Sequence, residues 1–221
     1  MDFCNKAISA GMNEFGPAIH GHIPELHDYL TRSRGSFKQT CQAINNIRSL
    51  GLYIVPNTVV VKPNYRYLPE IGEMLVKLGV NQYQFAFVHA VGNALTNYDQ
   101  MIPWVSLARS YIHKGLQKGI DAGIRVMAEA MPYCQMKGYE KYVSELYIPA
   151  TEIRDIDTYD PDFEKTRQKQ GKAKFPQCRE CRYDLICEGP WREYPERRGN
   201  SEFIPVRGQK VSSQEDIISN K

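Results

Sequence analysis

The sequence predicts an α/β fold, in which a partial (βα) TIM-type barrel of about four βα units is followed by a small cysteine-rich loop domain. Strand-like segments rich in β-branched residues alternate with longer helical segments, which is typical of a parallel sheet with right-handed crossovers. Three of the six cysteines fall within ten residues near the C-terminus. An eight-stranded barrel needs about 250 residues, so this chain of 221 residues has room for only part of one.

The first predicted elements are a helix, a strand and a polar loop. Apolar residues recur at helical spacing in residues 2–12, and Gly11 is a typical C-terminal stop. Phe15 to Ile19 is expected to form a strand that leads into the polar loop from His20 to Asp28. The next helix is expected to begin at Ser36, whose hydroxyl is a plausible N-cap, and to end at Gly51.

Three strands and two helices are predicted after Gly51. They are a strand at Leu52–Val61 interrupted by Pro56, a helix over 66–78 that stops at Gly79, a strand at Gln82–Val88, a long helix from Pro103 to about Ala122, and a short strand at Gly123–Met127. With the first strand, this gives four strands.

We expect three regions along the chain. Residues 1–130 form the (βα) part, residues 131–174 form a linker that contains Cys134, and residues 175–221 form the cysteine-rich tail. The basic run from Lys165 to Lys174 is interpreted as a solvated part of that linker.

Composition excludes several classes of function. The 28 basic residues nearly balance the 25 acidic ones, so no broad electrostatic field indicates binding to nucleic acid or to an anionic membrane. The sequence shows neither a long apolar run nor a cleavage-type leader, and we expect a cytoplasmic protein. In that compartment six cysteines favour metal binding over disulfides.

The most specific motif is Cys178-x2-Cys181, with Cys187 six residues further on. This spacing lets thiolates converge on one metal centre from a tight turn. Cys134, which lies shortly after Pro132, is the best candidate for a fourth ligand, and Cys4 and Cys41 are poorer candidates because they lie in predicted helices. Four thiolates can hold either zinc or an iron–sulfur cluster, and the ligands alone do not choose between them.

The order of the segments resembles that of radical S-adenosylmethionine (SAM) enzymes with a C-terminal auxiliary domain of the SPASM or twitch type. The resemblance spans nearly the whole chain. It rests on Ile19-His20-Gly21, His27 to Thr31, Gly35-Ser36-Phe37, Asn57 to Val60 with Asn64, Phe85 to Gly92, and Cys178-x2-Cys181-x5-Cys187 with Gly189 and Trp191.

In that family, the first half of a partial (βα)6 barrel carries a C-x3-C-x2-C loop, whose cluster binds SAM and cleaves it to a radical. This sequence contains neither that motif nor a Gly-Gly-Glu motif. The resemblance therefore implies the second half of such a barrel, strands four to six, with the auxiliary tail. A truncated gene model, a split or degenerate gene, or an expressed fragment would each explain this.

His20 and Asn57 occupy positions that match strand residues of that family, so the resemblance implies that they face the SAM pocket. Each could instead be an ordinary buried polar group. A further alternative is a separate metal site made by His20, His22, His27 and Asp28.

The resemblance implies that Cys134, Cys178, Cys181 and Cys187 bind an auxiliary [4Fe–4S] cluster, which positions a substrate or passes an electron. SAM would bind only if an N-terminal half or partner chain were supplied, and the chain alone should not generate the radical. The substrate would be a peptide or a small molecule. Two alternatives stay open: a non-catalytic zinc-binding interaction module, and an ordinary (βα) enzyme with Asp28 or His89 as a base.

Overall fold

The computed structural model of the chain describes residues 2–148, 151–213 and 215–219. Its helices are α1 (Asp2–Ser9), α2 (Pro24–Thr31), α3 (Ser36–Ser49), α4 (Leu68–Leu78), α5 (Gly92–Thr96), α6 (Tyr98–Met101), α7 (Val105–Asp121), α8 (Phe163–Thr166), α9 (Glu193–Arg198) and α10 (Glu215–Ser219). Its strands are β1 (Glu14–Phe15), β2 (Tyr53–Ile54), β3 (Asn57–Val60), β4 (Gln82–Phe87), β5 (Arg125–Glu129), β6 (Ile153–Arg154) and β7 (Tyr159–Asp160).

The sheets are small and mainly parallel. Strand β1 pairs in parallel with β2, and β3 pairs in parallel with β4 in a sheet of order β3-β4-β5. Strands β6 and β7 form a separate antiparallel pair. The predicted α/β class is therefore confirmed.

The predicted strand from Leu52 to Val61 is divided into β2 and β3 at Pro56, which has no N–H to donate to a ladder. Hydrogen bonds continue across the division: the Val55 N–H donates to the Phe15 oxygen at 2.8 Å, and the Asn57 N–H donates to the Pro17 oxygen at 3.0 Å. An isolated parallel bridge joins Ala18 to Asn57. The segment that begins with β1 therefore runs beside β2 and then beside β3.

The chain forms two compact units. Unit 1 comprises Met1–Val88 and Asn97–Ala128, and unit 2 comprises His89–Thr96 and Glu129–Lys221. Cys4 and Cys41 belong to unit 1, whereas Cys134, Cys178, Cys181 and Cys187 all belong to unit 2. The three functional regions expected from the sequence stay predictions.

The core of unit 1 forms between α4, α7 and the β3-β4-β5 sheet. Its fully buried side chains include Leu68, Ile71, Leu75, Tyr83, Phe85, Ile112 and Leu116. Gly115 lets α7 approach the sheet closely, because a Cβ at this position would lie 2.6 Å from the Phe85 ring. The Tyr83 hydroxyl is satisfied by donating to the Gly115 backbone oxygen at 2.6 Å.

The predicted loop from His20 to Asp28 is wrong in its second half, because α2 begins at Pro24. Proline is well suited to the first turn of a helix, where its missing N–H has no partner to lose. The predicted Ser36 cap is also wrong, since the N-cap of α3 is Gly35, which has no side chain to accept a capping hydrogen bond. Instead the Asp28 carboxylate accepts from the N–H of Gly35 at 2.5 Å and from that of Phe37 at 2.8 Å.

Unit 2 consists of short elements, several of them single helical turns. Residues Tyr133–Gln135 and Pro176–Glu180 form 3-10 turns, and Arg167–Gly171 is wound as a π-helix. The expectation that the run from Lys165 to Lys174 is a solvated linker is wrong for Arg167 and Lys172, which are 2% and 3% exposed. Their burial is possible because each forms an ion pair, described below.

Across the described part of the chain, we find no helix with the length and apolar character needed to cross a membrane.

Candidate metal centre

Four cysteines of unit 2 line one pocket. Cys178, Cys181 and Cys187 meet Cys134 there, although Cys134 lies more than 40 residues earlier in the chain. The pocket, including its mouth, contains about 380 Å³ of space that protein atoms do not fill. All six cysteines of the chain are free thiols. The structure thus brings together the four cysteines that the sequence singles out.

A tight turn places Cys178 and Cys181 on the pocket wall. Cys178 lies in the 3-10 turn Pro176–Glu180, and the N–H of Cys181 donates to the Cys178 oxygen at 2.9 Å. Lys210 secures this turn, since its Nζ donates to the backbone oxygens of Arg179 at 2.6 Å and Cys181 at 2.8 Å. No local sequence signal marks Lys210, which lies 29 residues after Cys181.

Backbone N–H groups point at the cysteine sulfurs. The Phe175 N–H donates to the Sγ of Cys178 at 3.4 Å. The N–H groups of Tyr133 and Gly189 are within hydrogen-bonding reach of the Cys187 sulfur. Such donors favour the thiolate form of cysteine, and hydrogen bonds to sulfur help to set the potential of an iron–sulfur cluster.

Burial raises the pKa of two of the pocket thiols, Cys134 and Cys187. It raises the pKa of Cys134 to about 12, and the nearby thiols of Cys187, Cys181 and Cys178 raise it further in the same direction. Burial likewise raises the pKa of Cys187 to about 11. The four groups are therefore close enough to interact electrostatically. A metal would have to displace their protons.

Gly189 shapes the chain directly after Cys187. Its φ of +86° is a conformation that residues with a side chain rarely adopt, and a Cβ here would lie 2.0 Å from the Ala173 backbone oxygen. The segment after Gly189 then pairs with Lys172 and Ala173. Lys172 forms an antiparallel bridge with Trp191, and the Ala173 N–H donates to the Pro190 backbone oxygen at 3.0 Å. Only glycine fits this crossing without displacement of the backbone.

Aromatic and proline side chains cover the pocket. Phe175, Phe203 and Pro205 line it, and the rings of Phe175 and Phe203 stack with centroids 5.4 Å apart. Tyr194 packs edge-on against Phe203 at 5.9 Å. A cover of this kind keeps water away from a metal centre.

Trp191 packs against other residues of unit 2. Its ring stacks on His89 with centroids 4.0 Å apart, and the Nζ of Lys172 lies 4.0 Å from the ring centroid. His89 Nε2 is 3.2 Å from a Glu193 carboxylate oxygen.

Two buried ion pairs involve residues close to pocket residues in the sequence. Arg167 pairs with Glu188, the residue after Cys187, and both side chains are at most 9% exposed. Lys172 pairs with Glu145 at 3.1 Å, and the same Glu145 oxygen accepts from the Ala130 N–H at 2.9 Å. Sequence reasoning missed both pairs, because their partners are 21 and 27 residues apart.

His20 and Asn57, the residues expected to face SAM, lie on neighbouring parallel segments of unit 1. The Nδ1 of His20 accepts from the Val59 N–H at 3.3 Å, and burial lowers the pKa of His20 to about 4. The Oδ1 of Asn57 is buried and has no hydrogen-bond partner within the part of the chain that the structure describes. The structure therefore brings the two residues together, but it already uses one nitrogen of His20.

The other polar residues of this segment have structural roles. His27 is 1% exposed, and its Nδ1 accepts from the His20 backbone N–H at 3.0 Å. The hydrogen bonds from Phe37, Gly35 and Ser36 lower the pKa of Asp28, which makes it a weak base. Among the described residues, no three His, Cys, Asp or Glu side chains are arranged to hold a single metal ion. This finding covers the cysteine pocket as well as the histidine segment, so the four cysteine side chains would have to close around a metal in order to bind it.

Comparison of the chain with protein-family models and with curated proteins finds no match.

Proposed function

We propose that the chain is the auxiliary-cluster portion of a radical SAM protein, in which Cys134, Cys178, Cys181 and Cys187 hold one [4Fe–4S] cluster. The observation that carries this proposal is the pocket that all four cysteines line. Three of them come from one turn and its continuation, but Cys134 reaches the pocket from a separate 3-10 turn.

The surroundings of the four sulfurs suit a cluster. Four thiolates also suit a single zinc ion, and the resemblance to radical SAM enzymes with an auxiliary domain favours the cluster. Phe175, Phe203 and Pro205 limit the access of water, and N–H donors reach the sulfurs of Cys178 and Cys187. These are the features by which a protein stabilises thiolates and tunes a cluster.

When bound, such a cluster supplies one-electron chemistry. The residues of this chain hold it, shield it from water and donate hydrogen bonds to its ligands. Because four thiolates leave no iron with a free coordination site, this centre would not bind and cleave SAM. Radical formation would need a C-x3-C-x2-C segment from elsewhere.

The arrangement of unit 1 supports the barrel part of the proposal. Parallel segments beginning at β1, β2 and β4 follow one another in sequence and lie side by side, with α2, α3 and α4 between them. This sequential order is the order of strands in a (βα) barrel. In that arrangement His20 and Asn57 would contribute to a SAM pocket completed by an N-terminal half or partner chain, with a peptide or small molecule as substrate.

The test is metal analysis after anaerobic preparation of the full chain. We expect a brown protein with about four irons and four acid-labile sulfides per chain. Substitution Cys178→Ser should remove most of the iron, whereas the matched control Cys41→Ser, in helix α3, should retain it. A colourless protein with one zinc per chain would overturn the proposal in favour of an interaction module.

A second measurement tests the absence of SAM cleavage. The reconstituted chain, incubated with SAM and dithionite, should yield no 5′-deoxyadenosine. Catalytic formation of that product would show that the coordination of the cluster has been misassigned.

A further inference from the structure

The segment from residue 151 to residue 164 is acidic, although the chain as a whole is not. It contains six Asp and Glu against one Arg, whereas the chain has a formal net charge of +3. Strands β6 and β7 form an antiparallel hairpin within it, and the Asp155 N–H donates to the Thr158 oxygen at 2.8 Å across the turn. None of these residues lines the cysteine pocket, so the proposed function does not account for this charge.

A groove lies between the hairpin and helix α8. Its apolar walls are formed by Ile153, Tyr159, Pro161 and Phe163, and Asp160 also lines it. The groove, including its mouth, contains about 830 Å³ of space that protein atoms do not fill, which is within the size range of ligand sites. Ile153 is 37% exposed and Tyr159 is 58% exposed. The walls therefore offer apolar surface to a ligand.

Contacts within the hairpin and at its base hold the groove walls in place. The Glu152 carboxylate accepts from the Tyr159 hydroxyl at 3.2 Å and from the Arg154 guanidinium at 2.9 Å. That guanidinium also lies 4.7 Å from the centroid of the Tyr159 ring. At the other wall, the Phe163 N–H donates to the Thr151 oxygen at 3.0 Å. Walls that are fixed beforehand lower the entropic cost of binding.

Several carboxylates at the groove retain acceptor capacity. Asp160 accepts from the Asp162 N–H at 3.0 Å, and Asp162 accepts from the Lys165 N–H at 3.1 Å. Asp157 is exposed and directly precedes Thr158, which lines the groove. An ionised carboxylate can accept about four hydrogen bonds, so one backbone N–H leaves most of this capacity for a ligand.

We propose that this groove binds a basic segment of a partner protein that also carries apolar side chains. We call it the hairpin groove, and it consists of Ile153, Tyr159, Asp160, Pro161 and Phe163. A Lys or Arg of the bound segment pairs with Asp160 and lies against an aromatic wall, which adds a cation–π contribution. A neighbouring aliphatic side chain packs on Ile153. The inference goes beyond the proposed function and does not depend on the metal content of the cysteine pocket.

Charge complementarity and the apolar walls together select this occupant. The carboxylates attract a cationic partner, and they repel nucleic acid and anionic lipid. A free metal cation would use the carboxylates but would leave the apolar walls without a role. An apolar centre with a charged rim is instead the composition of a protein interface.

The experiment measures the binding of a short labelled peptide, in which arginine alternates with leucine, to the full chain by fluorescence anisotropy. Asp160→Asn should weaken binding about fivefold, because it removes the charge while an amide oxygen can still accept from the Asp162 N–H. Tyr159→Ala should weaken binding about fivefold, and Tyr159→Phe should restore it, because the ring is retained. Salt at about 0.3 M should weaken binding at least threefold, since it screens exposed charges.

Matched controls come from the same unit. The Glu180 side chain is 67% exposed and pairs with Arg207 at 3.6 Å, so Glu180→Gln should leave binding unchanged. Ile204 is 71% exposed, and Ile204→Ala should likewise have no effect. Circular dichroism of each variant establishes that it is folded.

A peptide in which glutamate replaces arginine should not bind, and equal binding of the two peptides would overturn the inference. Equal binding by Asp160→Asn and the wild type, or an equal loss in Asp160→Asn and Glu180→Gln, would also overturn it. Sedimentation velocity of the chain alone tests a different occupant. If the chain self-associates, loses this association in Asp160→Asn and does not bind the peptide, the groove takes a second copy of the chain and the inference is wrong.

Discussion

Glu188, the residue directly after Cys187, holds the guanidinium of Arg167 through two hydrogen bonds of 2.7 and 2.9 Å. The two side chains are 9% and 1% exposed. This pair joins the π-helix that begins at Arg167 to the chain segment that supplies a candidate cluster ligand. The position of Cys187 therefore depends on a charge pair 21 residues apart in the sequence.

Removing one member of this pair should destabilise unit 2. Substitution Arg167→Met leaves the Glu188 carboxylate buried without its cation, which should lower the free energy of unfolding by about 3 kcal/mol. Arg154→Met is the control, because it breaks an exposed pair that should contribute less than about 1 kcal/mol. Urea unfolding measures the free energy of unfolding of both variants. An equal loss of this free energy in the two would contradict this account.

The burial of Arg167 and Lys172 shows where sequence reasoning fails. A run rich in lysine and arginine is normally solvated, and nothing local marks two of its members as buried. What buries them is pairing with Glu188 and Glu145, which depends on tertiary structure. The cysteine turn was easier to predict, since the spacing of Cys178 and Cys181 is itself the geometric signal.

Gly189→Ala should disturb the centre without removing any ligand. A Cβ at Gly189 would collide with the Ala173 oxygen at 2.0 Å, and the positive φ adds strain. We expect the variant to retain less than about half of the wild-type iron, because the segment that carries Cys187 must shift. Gly138→Ala is a suitable control, since Gly138 has a similar φ of +83° but a Cβ there would meet nothing within 4 Å. Iron content after identical reconstitution distinguishes the two.

The aromatic cover should protect the centre from air. Phe203 lines the pocket and contacts both Phe175 and Tyr194, so Phe203→Ala would admit water and oxygen. The visible absorption of the loaded variant should then decay several times faster in air than that of the wild type. The same decay in Trp191→Ala should be slower than in Phe203→Ala, because Trp191 packs against His89 and Lys172. If Phe203→Ala decays at the wild-type rate, these rings do not shield the centre.

Unit 1 should lose stability in mild acid. Burial and then the neighbouring His27 lower the pKa of His20 from 6.5 to about 4, and burial also lowers the pKa of His27. Between pH 6.5 and about 4 the unfolded chain binds protons that the folded chain does not, so stability is full above pH 6.5 and declines as the pH falls through this window. Amide exchange of residues 53–60, corrected for intrinsic exchange rates, should show the decline. The decline of stability with falling pH should be less steep in His20→Asn. An equally steep decline in this variant would contradict the assignment of the decline to His20.

Most of unit 1 could be predicted from the pattern of apolar residues. The spacing of Leu68, Ile71 and Leu75 predicts α4, and the structure buries all three. Helix α2 was missed because its polar residues suggest a loop. The cap of α3 was misassigned because the acceptor, Asp28, comes from the preceding helix and not from the adjacent Ser36. Local sequence can indicate that a helix begins, but it does not reveal a remote residue that caps it.

The central claim is that four cysteines share one [4Fe–4S] cluster, and native mass spectrometry of the anaerobically reconstituted chain tests it most directly. The account predicts a single mass increment of four irons and four sulfides per chain, which is lost in Cys134→Ser and retained in Cys41→Ser. Cys134 is decisive because it reaches the pocket from outside the C-x2-C segment. A zinc increment, or an unchanged four-iron increment in Cys134→Ser, would contradict the claim.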